Sequence, residues 1–255
     1  MERGQIQEII SRVAASPDPF VEIVKRAQET GERVGVFASS FNPVTIAHAE
    51  LMKRAGEQFS LDETLALAGV ANADKQLYEA PLADRVLMLT ACFAGDPRVS
   101  VGLSSHAFFV DMLDALRALR GSATRLHFIL GFDTFERVLD RENRYTAKYQ
   151  RRFKDRLEAL EFLVGGSRLI VGGRAGAGHE DFRRFIEREP PLVAAGVSFL
   201  DFPADLAEFS ATEVRNRARR GVPISGLVPV EVERYINEHS LYRPSDADPG
   251  SRRSS

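Results

Sequence analysis

A chain of 255 residues, 44% hydrophobic and 27% charged, can bury the core of one α/β unit with extensions and has an ordinary globular composition. A net charge of −2 gives no bulk electrostatic case for nucleic acid, and a single cysteine, Cys92, excludes an intramolecular disulfide and a cysteine-built zinc site. No apolar run approaches the roughly 20 residues of a membrane span, and Met1-Glu2-Arg3-Gly4 opens a mixed-charge stretch rather than a secretory signal, so a soluble cytoplasmic protein is expected, with no membrane partner.

Ile6, Ile9, Ile10 and Val13 recur at helical spacing, and Ser16-Pro17-Asp18-Pro19 ends that helix. Phe20, Ile23, Val24 and Ala27 predict a second helix over 19–30, stopped by Gly31, so residues 1–31 are expected as a helical extension ahead of a domain over 32–243. Arg33 to Phe37 is a short apolar run that predicts a buried strand. Small residues and Asn42-Pro43 then make a turn, and from Thr45 the pattern is helical to about Phe59. Further strands are predicted over 63–70, 98–103, 125–130, 168–171 and 196–200. Helices are predicted over 82–93, 107–119, 145–163 and 180–188, from Ser210 onward, and over 230–238. Residues 244–255 are rich in Ser, Asp, Pro, Gly and Arg and are expected to be a disordered tail. There is no internal repeat. Strands alternating with helices indicate an α/β fold with a doubly wound parallel sheet, whose ligands lie beyond the carboxyl ends of the strands. The segments 39–48, 131–134 and 172–174 each follow a predicted strand, so they belong on that edge.

Several residues there carry chemistry. Thr45 and His48 share a face at a helix start, where unpaired N–H groups and the positive end of the helix dipole suit phosphate. Ser210-Ala211-Thr212-Glu213 fits a capping box, and Arg215 follows with a guanidinium suited to bidentate phosphate binding. Asp133 fits the N-cap of a helix beginning at Thr134. Lys75 reads as a solvated loop lysine and Arg85 as half of a surface salt bridge. Arg151, Arg152, Lys154 and Arg156 read as a solvated helix face beside Glu158 and Glu161. His106, His127, His179 and His239 lack partner spacing and read as structural; Cys92 reads as a small core residue.

Ser40-Phe41-Asn42-Pro43-Val44-Thr45-Ile46-Ala47-His48 resembles the signature of the nucleotidylyltransferase superfamily, and its Asn and Thr resemble the nicotinamide/nicotinate mononucleotide adenylyltransferases. Phe209-Ser210-Ala211-Thr212-Glu213-Val214-Arg215 resembles that family's Ile-Ser-x-Thr-x-Ile-Arg element. Residues 221–229 with Val232, Tyr235, Ile236, Leu241 and Tyr242 resemble its C-terminal end. The resemblance implies a Rossmann-like nucleotidylyltransferase fold. It implies transfer of AMP from Mg-ATP to the phosphate of nicotinamide or nicotinic acid mononucleotide, giving a dinucleotide of NAD biosynthesis and pyrophosphate. His48, Thr45 and Arg215 would be catalytic. Ser39, Ser40, Phe41, His48, Gly131, Asp133, Ser210, Thr212 and Arg215 would bind ATP, with Asp133 near the ribose hydroxyls. Lys75, Arg85, Phe108, Phe109 and Arg174 would meet the acceptor. Mg²⁺ would come with ATP, without a metal site of the protein's own. The chain has no Trp, which the family often stacks on the pyridine ring, and Phe108 or Phe109 would replace it. Ala47 stands where Gly is commoner. Two alternatives stay open: nucleotidyl transfer to another phosphorylated acceptor, and a non-catalytic nucleotide-binding regulatory module. A homo-oligomer also stays open.

Overall fold

In the computed structural model, the described residues are 1–70, 80–142, 144–145, 152–173, 178–207 and 209–243. Most of the strands follow from near-continuous apolar runs buried on both faces, the pattern of a sheet covered by helices on each side. They are β1 (Val21–Lys25), β2 (Arg33–Ser39), β3 (Glu63–Gly69), β4 (Val99–Ser104), β5 (Arg125–Gly131), β6 (Arg168–Gly172) and β7 (Val197–Leu200), in the spatial order β1-β4-β3-β2-β5-β6-β7. All neighbours from β4 to β7 pair in parallel, and β1 alone runs antiparallel, on the edge of β4.

The two sheet faces carry different cores. Phe37, Ala66, Ala68, Ile129 and Ile170 pack under α1 (Arg3–Ala14), α2 (Ile46–Gln58), α3 (Leu82–Cys92), α10 (Ala211–Arg219) and α11 (Val230–Glu238). Val34, Val36, Leu65, Leu67, Phe128, Leu130, Leu169 and Val171 pack under α4 (Phe109–Arg120), α5 (Phe132–Leu139), α6 (Arg156–Gly166), α7 (His179–Ile186) and α8 (Pro191–Ala195). A short α9 (Ala204–Ala207) precedes α10. From β2 the chain builds outward through β3 and β4, then returns to the other side of β2 to lay down β5, β6 and β7. The reversal lies between β2 and β5, where Phe37 pairs with Ile129. Open sheets of this kind bind ligands in that crevice. The doubly wound parallel sheet is therefore as expected.

Four local expectations are corrected. Residues 19–30 are not helical: Val21 to Lys25 form β1, because β-branched Val21, Ile23 and Val24 complete the open edge of β4, and this pairing outweighs a spacing that also suits a helix. Gly31 therefore stops no helix. The helix expected over 145–163 begins at Arg156, where the Asp155 side chain caps the Leu157 and Glu158 N–H groups. Asp133 is not an N-cap, since α5 starts at Phe132 with Gly131 in the capping position. Arg152 and Lys154 are exposed as expected but precede α6 and so form no helix face, and Arg156 is half-buried. Arg152 pairs with Asp111 and Asp114 and lies over the Phe153 and Phe162 rings, while Arg156 and Arg141 clasp the buried Glu189 carboxylate. Residues 244–255 and Arg151 lie outside the described residues. Among the described residues, no helix is long and apolar enough to cross a membrane.

Candidate active site

The loop after β2 builds the centre of the site. Phe41 adopts a left-handed backbone (φ 45°), a conformation an L-residue keeps only where its surroundings dictate it. Its fully buried ring packs edge-on against Phe37 at 5.5 Å and against His48 at 5.5 Å, and Phe37 lies 5.6 Å from His48. Phe41 is thus a pedestal for the imidazole. Its side chain is closed to a nucleotide, so among Ser39, Ser40 and Phe41 the half-buried Ser39 and exposed Ser40 offer the accessible groups.

Thr45 caps α2, and the Thr-x-x-His spacing is a capping box in which histidine stands where Glu or Gln is usual. The Thr45 hydroxyl accepts from the His48 N–H at 3.3 Å, and the Thr45 N–H donates to His48 Nδ1 at 3.0 Å. A backbone N–H donates to that nitrogen, so Nδ1 is an acceptor and the proton of the neutral ring sits on Nε2. Burial pulls the imidazole down to about 4, which keeps it neutral at physiological pH. The box therefore presents His48 as an uncharged Nε2–H donor. It also takes up backbone donors that the sequence alone left open to phosphate. The Ile46 N–H is likewise taken, by the Leu227 carbonyl at 3.0 Å.

The distant Ser-Ala-Thr-Glu-Val-Arg segment meets this loop. Arg215 Nη1 donates to the Asn42 carbonyl at 2.6 Å and Nη2 to Thr212 Oγ1 at 3.1 Å, across 173 positions of sequence for the first contact. Ser210 caps α10 through the Glu213 N–H at 3.1 Å. Only half of the expected capping box forms, because the Glu213 carboxylate pairs with Arg217 at 2.7 Å instead. Arg85 is buried rather than on the surface, and donates from Nη1 to the Ser40 carbonyl at 3.1 Å. His48, Thr45, Ser40, Arg85, Thr212 and Arg215 are thereby joined around one loop.

Other expected groups stand at neighbouring strand ends. Gly131 closes β5 beside β2, and a Cβ there would meet open space, which leaves room for close approach of a ligand to the backbone. Asp133 is exposed in the first turn of α5. Phe108 and Phe109 follow β4, beyond β3 from the loop. Phe109 is already packed edge-on to Phe128 at 5.2 Å, whereas half-buried Phe108 faces Tyr145 at 6.2 Å. Tyr145 was not anticipated, and an aromatic inside a charged run gives no sequence signal. Lys75 and Arg174 lie outside the described residues. The remaining histidines have local partners: His106 with Ser105, His127 with the Arg125 carbonyl, His179 with Phe199, and His239 stacked on Tyr235. Cys92 packs half-buried against the first core, where burial raises its thiol to about 12.

This arrangement can hold and polarise phosphates. A family model described as cytidylyltransferase-like matches residues 36–217, from within β2 into α10. The chain belongs to the cytidylyltransferase-like family. It is a nucleotidyltransferase. A probable nicotinate-nucleotide adenylyltransferase of Bordetella avium (strain 197N) is 30% identical to it over 220 residues, 84% of this chain and 100% of that protein. One of Saccharopolyspora erythraea carrying the same description is 28% identical over 225 residues, 86% of this chain and 93% of that protein. Among solved structures, the Plasmodium falciparum nicotinic acid mononucleotide adenylyltransferase complexed with NaAD aligns with a TM-score of 0.60 at 17% identity, covering 83% of this chain and 98% of that one. At that identity the likeness concerns the Rossmann-like fold. The loop after β2 and the start of α10, at opposite ends of the matched residues 36–217, meet at one strand end through the bond from Arg215 to the Asn42 carbonyl.

Proposed function

We propose that the enzyme transfers AMP from Mg-ATP to the phosphate of nicotinic acid mononucleotide. An oxygen of the acceptor phosphate attacks the α-phosphorus of ATP, the bond from that phosphorus to the β-bridging oxygen breaks, and pyrophosphate leaves with the bond's electrons. No proton needs to be removed from the attacking oxygen, so catalysis is positioning and charge stabilisation. His48 would donate its Nε2–H to a non-bridging α-phosphate oxygen. Ser210, Thr212 and Arg215 would hold the β- and γ-phosphates, and Asp133 would meet the ribose hydroxyls of ATP. Arg85, Lys75 and Arg174 would face the acceptor phosphate, and Phe108 would stack on the pyridine ring.

Among the described residues no group of three or more His, Cys, Asp and Glu could hold a metal. The donors of the site are neutral or cationic and suit phosphate oxygens, so Mg²⁺ would arrive on the triphosphate, where it neutralises charge on the leaving pyrophosphate. The observation that carries the proposal is the joining of Arg215 to the loop that holds His48, through the Asn42 carbonyl. The acceptor follows the descriptions of the relatives.

The test is pyrophosphate release from Mg-ATP with nicotinic acid mononucleotide and nicotinamide mononucleotide offered separately. Release with the acid form, reduced about 10²–10³-fold in kcat by His48→Ala, is expected for loss of an oxyanion-type donor. Release only with some other phosphorylated acceptor, or ATP binding without turnover, would refute it.

A further inference from the structure

The geometry points to Tyr242 as a positioning residue of the site, acting through Asn42 on Arg215. Asn42 is 1% exposed and stands between the pedestal Phe41 and the helix that carries His48. Its side-chain oxygen accepts the Tyr242 hydroxyl at 2.9 Å and the Ala80 N–H at 3.3 Å, while its backbone carbonyl accepts Arg215. The Ala80 N–H fixes which end of the amide is the oxygen. The amide nitrogen finds no acceptor among the described residues, so the two bonds to Oδ1 are what orient this buried side chain. One of them comes from the last turn of the described chain, 200 positions away.

Tyr242 is itself strictly placed. It is 6% exposed and has φ of 64°, and Ser240 two positions earlier has φ of 50°. Left-handed non-glycine residues so close together persist only where their surroundings hold them. The Leu241 N–H returns to the Ile236 carbonyl at 3.0 Å, which fastens this end to α11. The C-terminal turn thus sets Asn42, Asn42 sets the carbonyl that Arg215 grips, and the guanidinium is aimed in consequence. Tyr242 touches no substrate. Its effect falls on the triphosphate in the bound ATP and further on the transition state, where charge on the departing pyrophosphate is greatest.

This inference rests on the reading of Arg215 as a triphosphate ligand, and its test separates the two. Tyr242→Phe removes one oxygen atom. It is expected to lower kcat about tenfold and to weaken ATP binding, with KM for the mononucleotide within about twofold of wild type. Ser100→Ala is the control: it removes a buried hydroxyl bonded to Glu63 at 2.6 Å and to the Ala27 N–H at 2.8 Å, below the opposite edge of the sheet. This variant is expected to lower the melting temperature and leave kcat unchanged. In Arg215→Met, which has no donor for the Asn42 carbonyl, adding Tyr242→Phe should cost no more than about twofold further. Wild-type kcat and ATP affinity in Tyr242→Phe, fully multiplicative effects in the double variant, or an equal loss of kcat in Ser100→Ala would each overturn it. The same cycle read as ATP dissociation constants needs no acceptor. If neither mononucleotide supports turnover, the proposed function falls and the dissociation constants still decide the role of Tyr242.

Discussion

His48 shows what a single side chain can be made to do by its surroundings. A histidine in water is half protonated near pH 6.5; here the ring lies against Phe37 and Phe41 and is held as the base down to about pH 4. Between those two values the unfolded chain binds a proton that the folded chain refuses, so this group's effect on stability is nil above pH 6.5 and grows unfavourable as pH falls to 4. The difference is at most about 3 kcal/mol. Burial lowers His127 in the same direction. Urea unfolding from pH 7 to pH 4.5 should accordingly show His48→Asn gaining stability relative to wild type as pH falls; a constant difference across the range would show that the ring titrates normally. Turnover obeys the same assignment. The kcat profile should show no limb near pH 6.5 from His48, and a rise in kcat on acidifying through that value would make the imidazolium, not the neutral ring, the active donor.

At the scale of the element, the two helix starts divide their labour. Thr45 spends its hydroxyl on the His48 N–H and its own N–H on the ring, so the cap of α2 is also the device that fixes the tautomer. Thr45→Ala should cost about 1 kcal/mol in unfolding free energy and also lower kcat. Thr45→Ser should restore most of both, and thermal melts with parallel kinetics check this; an alanine variant with unchanged kcat would leave the cap purely structural.

The two helix starts were legible in sequence because each capping pattern is local, and β2 to β7 were legible because apolar runs buried on both faces look alike wherever they occur. Strand β1 was not, since Phe20, Ile23, Val24 and Ala27 satisfy a helical spacing and only the open edge of β4 decides otherwise. Nor was the burial of Arg85: in a sequence it is a charged residue on a helix, and only the fold shows the Ser40 carbonyl above it. Glu213 was misjudged for a related reason, because Arg217 one turn on competes for its carboxylate.

At the scale of the whole molecule, two buried carboxylates, Glu63 and Glu189, are each held by arginines, whereas pairs such as Arg183 with Glu180 and Arg217 with Glu213 lie at the surface. Glu63 is buried at the start of β3 and takes Arg120 in a bidentate pair with the Ser100 hydroxyl beside it. Glu189 binds α6 to the residues after α5: burial pushes its carboxyl up, but Arg156 and Arg141 outweigh this and leave it below the ordinary range. That stability is present above the unfolded carboxyl's value and is lost as pH falls through the folded one. Glu189→Ala should cost about 2 kcal/mol, less than a fully buried pair because Arg141 keeps 37% of its side-chain surface. Chemical denaturation at pH 7 would measure it, and a change under about 0.5 kcal/mol would mark the cluster as incidental.

The contact between Asn42 and Arg215, and that between Asn42 and Tyr242, join stretches of chain 173 and 200 positions apart. On the ribosome, the loop after β2 emerges long before either partner has been made. Among the described residues the last strand ends at Leu200, so a product that stops there has β1 to β7 and none of Ser210, Thr212 and Arg215, which would hold a triphosphate from the far side. Under the proposed roles of Ser210, Thr212 and Arg215, such a fragment would keep His48 but lack the groups that hold the β- and γ-phosphates, and its hold on ATP would be weak until residues 210–215 are made.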